Sequence, residues 1–332
     1  MFELLGICLA LAIFLAVNVA AATLVSLVWR LTHRVAERWS ARLRAQILFT
    51  LRLAPSLVGL IAVGLFFLPA YLDYEPRGTS EAVSTKLALF ASLSILGMAL
   101  ASWRAARALW ITRKLRREWL HTAKEISLPG VRVRAFQIPH AFPIVAVVGI
   151  LRPRLFVAEQ VLLTLTPEEL AATVAHEYGH LQARDNLKRG LLRACRDALL
   201  IPVGNSVGKS WSAAAESAAD EYAAEISADV ALNLASALVK IARMVPVGVR
   251  AQMPLAAFLA GEETRGIKTR VRHLLDIASR GRETNKARIE IATVLPLAAI
   301  IAALIVSAIF ASHSQVLLTV HFFVERVVSL LS

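Results

Sequence analysis

The sequence predicts a mainly α integral membrane protein with an α+β domain, a small sheet plus helices, inserted between its third and fourth transmembrane helices. Three observations predict it. Long apolar stretches recur along the chain, the segments between them alternate in charge, and a long polar middle region mixes strand and helix signals. The chain has 332 residues, 57% hydrophobic and 18% charged, with a mean hydropathy of +0.60. That composition excludes a disordered chain, and it exceeds the ~45–50% apolar usage of soluble globules.

The first span is expected over 4–28, interrupted only by Asn18, Thr23 and Ser26. It is long enough to cross a bilayer with some tilt. A second is expected over 53–72, where Pro55, Gly59, Gly64 and Pro69 are tolerable in a membrane helix. A third, over 82–103, is rich in small residues that favour close helix packing. A fourth is expected over 291–311. The tail 315–331 carries His321, Glu325 and Arg326 and reads as an interfacial or membrane helix.

The net charge of +13 is distributed in a pattern. Arg30, Arg34, Arg38, Arg42, Arg44 and Arg52 follow span one. The next loop (Asp73, Glu75, Arg77, Glu81, Lys86) is slightly acidic. Arg104, Arg107, Arg113, Lys114, Arg116 and Arg117 follow span three, and Arg280, Arg282, Lys286 and Arg288 precede span four. By the positive-inside rule the N-terminus lies outside and the middle domain faces the cytoplasm of a multi-pass inner-membrane protein. The basic residues then meet anionic membrane lipid. No DNA- or RNA-binding motif accompanies them, so direct nucleic-acid binding is not expected. Cys8 and Cys195 do not make a disulfide framework. The resulting division is a membrane domain over 1–103, a cytoplasmic domain over 104–288, and a last span with its tail over 289–332.

Within the middle domain, 110–125 reads as a basic amphipathic helix continuing from span three. Alternation marks a strand over 131–138, with further strands over 142–148 and 154–158. Thr166-Pro167-Glu168-Glu169 is a sharp helix start: N-cap, proline at the first position, and a capping-box glutamate. Residues 204–210 approach a phosphate-binding loop, but the glycine spacing is one residue short, so this stretch reads as a plain loop.

The helix begun at Thr166 carries His176-Glu177-Tyr178-Gly179-His180. Residues at i and i+4 share a helix face, so His176 and His180 can bind one Zn²⁺. Glu177 can then take a proton from water that zinc activates. A zinc site with an open position needs a third ligand. The alanine-rich helix expected over 212–227 supplies Glu216, and Asp220 one turn on can accept a ring N–H from a ligand histidine.

These motifs are similar to those of the membrane-embedded gluzincin metallopeptidases. The layout of three spans, a zinc domain and a further span most resembles the BlaR/MecR-type antirepressor peptidases. HtpX-type and CAAX-prenyl-type peptidases share the motifs with a less similar layout. The resemblance implies a gluzincin-type zinc peptidase domain with one Zn²⁺ per chain on His176, His180 and Glu216. Glu177 would be the general base, and Asp220 and Asp185 supporting carboxylates. Arg270 resembles a late arginine of these families, and with His273 and Tyr222 it is a candidate for substrate or transition-state contact. The implied function is zinc-dependent hydrolysis of a peptide or protein substrate, such as a transcriptional repressor. The alternative is a non-catalytic membrane signalling scaffold that keeps the zinc fold. The penicillin-binding sensor of the full receptors has no counterpart in these residues, so beta-lactam sensing is not expected.

Overall fold

A computed structural model of the chain describes residues 2–76, 83–128, 133–199, 203–245, 264–280 and 286–331. Arg77, Glu81, Arg282 and the start of the strand expected at 131 lie outside the described residues. Among those described, three helical segments are long and apolar enough to cross a membrane. They are α1 (Phe2–Ala36), a second segment built from α2 (Ala41–Ile61), a π-helical turn (Ala62–Phe67) and α3 (Leu68–Tyr74), and α4 (Thr85–Thr122).

Each helix runs past the apolar stretch that announced it. The second begins at Ala41, capped by Ser40, whose side chain accepts from the Leu43 N–H. Arg42, Arg44 and Arg52 are therefore helical residues, not loop residues. Helix α4 ends at Thr122, and Lys124–Ile126 forms strand β1 where the end of the basic helix was expected. The expected fourth span corresponds to α11 (Lys286–Ala311). It meets the criteria for a span only together with α12 (Ser314–Leu331), and the axes of the pair are bent by 88°. Helix α11 packs along α2, and α12 turns across the end of α3. There the Tyr74 hydroxyl donates to Ser314 O at 3.3 Å, and His321 Nδ1 stands 3.8 Å from Glu75 Oε2.

A four-stranded sheet follows α4. Its order is β1-β2-β4-β3, with β2 (Ala135–Ile138), β3 (Val145–Val148) and β4 (Arg154–Ala158). β2 and β4 are parallel, with Phe136 opposite Phe156; the other two pairings are antiparallel. β3 is buried throughout and β4 nearly so, as their run of Val, Ala, Leu and Phe requires. Trp119 from α4 meets Phe156 edge-on at 5.1 Å, tying the long helix to the sheet. The short α5 (Glu159–Thr164) leads into α6 (Pro167–Gln182), which lies against β3.

Helix α6 starts where the capping residues place it. Thr166 Oγ1 accepts from the Glu169 N–H, and Glu169 accepts in return from the Thr166 N–H at 2.9 Å. Glu169 also meets Ser236 and Lys240 of α9 (Ala228–Met244) at 2.7 and 2.8 Å. Helices α7 (Asp185–Asp197), α9 and α10 (Thr264–Arg280) have no counterpart among the expected elements. Helix α8 (Asn205–Ala224) begins well before the expected 212 and absorbs most of the stretch read as a loop. Gly204 precedes it at φ +79°. A Cβ there would come within 2.9 Å of the buried Arg52 guanidinium.

The first half of α2 lies along α8. Trp29, Ala36, Ala45 and Leu48 from the α1–α2 hairpin form one core with Leu192, Val207, Trp211, Ala214 and Ala215. The Ala41 N–H donates to Glu221 at 3.1 Å, Arg42 pairs with Glu225 at 3.3 Å, and Trp29 Nε1 donates to Ser210 at 3.2 Å.

Substituting Glu169→Ala is expected to lower stability by about 1–3 kcal/mol, because it removes a cap and charged hydrogen bonds. Burial opposes ionisation of Glu169, but Lys240, Ser236 and the Thr166 N–H outweigh it and hold the carboxyl below its ordinary range. Its contribution is complete above the ordinary glutamate pKa of ~4.3 and is lost as pH falls through the depressed folded value. Thermal unfolding of the full chain in detergent checks this: the Tm gap between variant and wild type should close on acidification.

Candidate metal centre

Helices α6 and α8 approach very closely at Gly179. A Cβ at that position would lie 3.0 Å from Ala219 Cα and 3.2 Å from Tyr222 Cβ. The glycine of the motif and the alanine opposite therefore set the separation of the two helices. At that separation Glu216 faces both imidazoles, with Oε2 3.6 Å from His176 Nε2 and Oε1 3.5 Å from His180 Nε2. All three side chains are buried, and their donor atoms lie within 4.8 Å of one another.

The far side of each imidazole meets a carboxylate. His176 Nδ1 lies 2.9 Å from Asp220 Oδ1, and His180 Nδ1 lies 2.7 Å from Asp185 Oδ2. Both contacts favour the tautomer that keeps the proton on Nδ1 and turns the Nε2 lone pair toward Glu216. Asp185 reaches His180 because Arg184, at the α6–α7 junction, adopts φ +54°, a left-handed conformation uncommon outside glycine.

Arg270, on α10, is buried beside the pair. It grips Asp220 through two bonds of 2.8 and 2.7 Å, and its Nη1 stands 3.2 Å from Glu216 Oε2. Burial alone would raise the Glu216 carboxyl; His180, His176 and Arg270 overcome it and hold that group well below the carboxylate range. Asp220 is lowered against burial by Arg270 and His176. Glu177 goes the other way: burial pushes its carboxyl up, in spite of the two histidines and the Val147 N–H. Val147 N–H donates to Glu177 Oε2 at 3.2 Å, while Asn186 Nδ2 donates to the Val147 carbonyl at 2.9 Å. The edge strand β3 is thereby tied to both Glu177 and Asn186.

The donor set fits a zinc ion. Two imidazole nitrogens and a carboxylate are suitable ligands, and bonds of ~2.0–2.1 Å in a tetrahedron imply donor separations of about 3.3 Å. The observed 3.5 and 3.6 Å are close to that edge. His180 Nε2 and Glu177 Oε1 are buried without a hydrogen-bond partner among the described residues. An unpaired buried acceptor is costly, and a cation between the donors would satisfy the imidazole.

Seven of the nine residues singled out in the sequence come together here: His176, Glu177, His180, Asp185, Glu216, Asp220 and Arg270. Two lie elsewhere. His273 Nε2 faces Glu221 at 3.5 Å, and the Tyr222 ring lies beneath the Arg42 guanidinium. Val147 and Asn186 carried no signal in the sequence, since one is an ordinary strand valine and the other makes only main-chain contacts across the fold.

Two histidines on one helix and a glutamate from a second, backed by a small sheet, form a buried group that could hold a metal ion. The family model for peptidase family M48 matches residues 109–314, and the chain belongs to that family. Its members are in general zinc-dependent. No curated protein matches the chain.

Two substitutions probe the geometry. Gly179→Ala should cost about 1–3 kcal/mol by forcing α6 and α8 apart, with loss of bound metal after dialysis. Asp185→Asn should weaken metal affinity by about 10–100-fold while leaving the fold intact. Competition with a chelator of known affinity, alongside thermal unfolding, separates the two effects.

Proposed function

We propose that the protein is an integral-membrane zinc metalloendopeptidase that cleaves a cytoplasmic or membrane-associated protein. The observation that carries this reading is the convergence of His176, His180 and Glu216, with Glu177 beside them and a carboxylate behind each imidazole. His176, His180 and Glu216 would be the ligands. When bound, zinc supplies Lewis-acid polarisation of the peptide carbonyl and lowers the pKa of water at its open position.

The chain's own residues supply the rest. Glu177, held at Oε2 by Val147 and free at Oε1, takes the proton of the attacking water and passes it to the leaving amine. Burial raises its proton affinity, which suits a group that must hold a proton briefly before delivering it. Asp220 and Asp185 keep the imidazoles oriented, and Arg270 locks Asp220 and Glu216 in register.

The distribution of arginines favours a cytoplasmic peptidase domain with the N-terminus outside. Arg30, Arg34 and Arg42 flank the hairpin end that packs on α8, and Arg104 lies where α4 meets α7 (Asp197). With this layout, and with its likeness to the antirepressor peptidases, regulatory cleavage of a repressor is the substrate reading we favour.

Glu177→Gln is expected to retain about one zinc per chain yet lose proteolysis by 10²–10⁴-fold, the usual worth of a general base. His176→Ala should lose the metal as well. Metal analysis and cleavage of an unstructured protein such as casein, both on the detergent-purified full chain, test this. Undiminished cleavage by Glu177→Gln would overturn the assignment of the base, and wild-type protein without zinc would overturn the ligand set.

A further inference from the structure

Helices α4 and α7 do not close against each other along their whole length. Between them lies a groove of about 510 Å³, floored by Ala105 and Ala108 on one side and Gly190 and Ala194 on the other. Small residues face each other here on both helices. Leu109, Leu187 and Leu191 stand along it and are 38–41% exposed, which is unfavourable in water.

The charge at this groove is unbalanced. Arg104, Arg193, Arg196 and Asp197 line it. Asp197 is nearly buried and shared: Arg104 Nη1 approaches it at 3.0 Å and Arg196 Nη2 at 2.8 Å. Arg193 is half-buried and has no ion pair or hydrogen bond among the described residues. Burial and the neighbouring Arg189 and Arg196 push its guanidinium down, against the attraction of Asp197. Asp197 attracts Arg193 as well but makes no direct ion pair with it, so three guanidinium groups share one carboxylate.

The height of the groove on the molecule is defined by α4. No charged residue occurs on that helix between Lys86 and Arg104, so the apolar stretch ends at the level where Arg104 meets Asp197. Trp103 and Trp110, 57% and 61% exposed, stand at this level as aromatic side chains do at a membrane interface. The unbalanced positive charge therefore lies where hydrocarbon gives way to phosphate groups. A water-filled surface would tolerate polar residues on the groove floor; alanine, glycine and leucine suit a lipid.

We propose that this groove binds one anionic phospholipid, its phosphate on Arg193 between Arg104 and Arg196, and its glycerol and upper acyl chain against Ala105, Ala108, Gly190 and Ala194. The lipid supplies the missing negative charge and covers the exposed leucines. Each basic residue near an anionic surface strengthens binding about fivefold. Three clustered residues offset by one carboxylate therefore favour an anionic over a zwitterionic headgroup by about tenfold or more.

Native mass spectrometry of the full chain, released from detergent and titrated with phosphatidylglycerol or phosphatidylcholine, tests this. Wild-type protein should retain one phosphatidylglycerol with at least about tenfold preference. Arg193→Gln should lower that preference about fivefold, since one of three cations is lost. Arg113→Gln, on the exposed part of α4, should leave it unchanged. Ala194→Phe, which fills the groove without altering charge, should abolish retention of either lipid and gives a second reading should Arg193→Gln fold poorly. Equal retention of both lipids by wild type, or unchanged selectivity in both groove variants, overturns the proposal. Displacement of phosphatidylglycerol by millimolar inorganic phosphate also overturns it, and would make the arginines a site for a soluble anion.

Discussion

The distance between helices α6 and α8 is the constraint on which the rest of the structure depends. Two histidines one turn apart can be presented by any helix. They become a metal centre only when a third donor stands within a few ångströms, and here that donor belongs to another helix. Gly179 against Ala219 permits the approach, and everything packed on α8 maintains it. From one side Arg270 of α10 holds Asp220 and Glu216; from the other, Trp29, Ala45 and Leu48 of the membrane hairpin press on Trp211 and Ala215. The α1–α2 hairpin thus shares a core with α7 and α8.

Electrostatics follow from that closeness. Placing Glu216 and Asp220 in a buried space next to Glu177 would be unfavourable without cations. Arg270 and the imidazoles supply them, so two carboxyls are held ionised while the third has its proton affinity raised. The same neighbourhood thus moves the carboxyls of Glu177 and Glu216 in opposite directions.

Much of this was legible in the sequence where the signal is local. Thr166, Pro167 and Glu169 mark a helix start through their own backbone chemistry, and that start occurs at the expected residue. His176, Glu177 and His180 depend only on helical spacing. Glu216 was reached by asking what a zinc site lacks. The sequence was silent where structure comes from packing. Residues 204–210 hold two glycines and two serines, poor helix formers, yet 205–210 are helical because α8 lies against α2 and α1. Arg42 and Arg44 looked like loop residues because charge usually marks a loop beside a membrane span. In the fold Arg42 pairs with Glu225, a partner far away in the chain. Strand β1 has three residues, too few to show a periodicity, and it exists because Ala135–Ile138 offers it an edge.

Helix α4 runs unbroken from Thr85 to Thr122 and passes directly into β1, which is hydrogen-bonded to β2. A 38-residue helix is about 57 Å long and stiff along its axis. The apolar stretch at one end of this rod and Trp119, packed on the sheet at the other, are therefore parts of one continuous element. The α1–α2 hairpin reaches the same domain at a different place, through its core with α7 and α8.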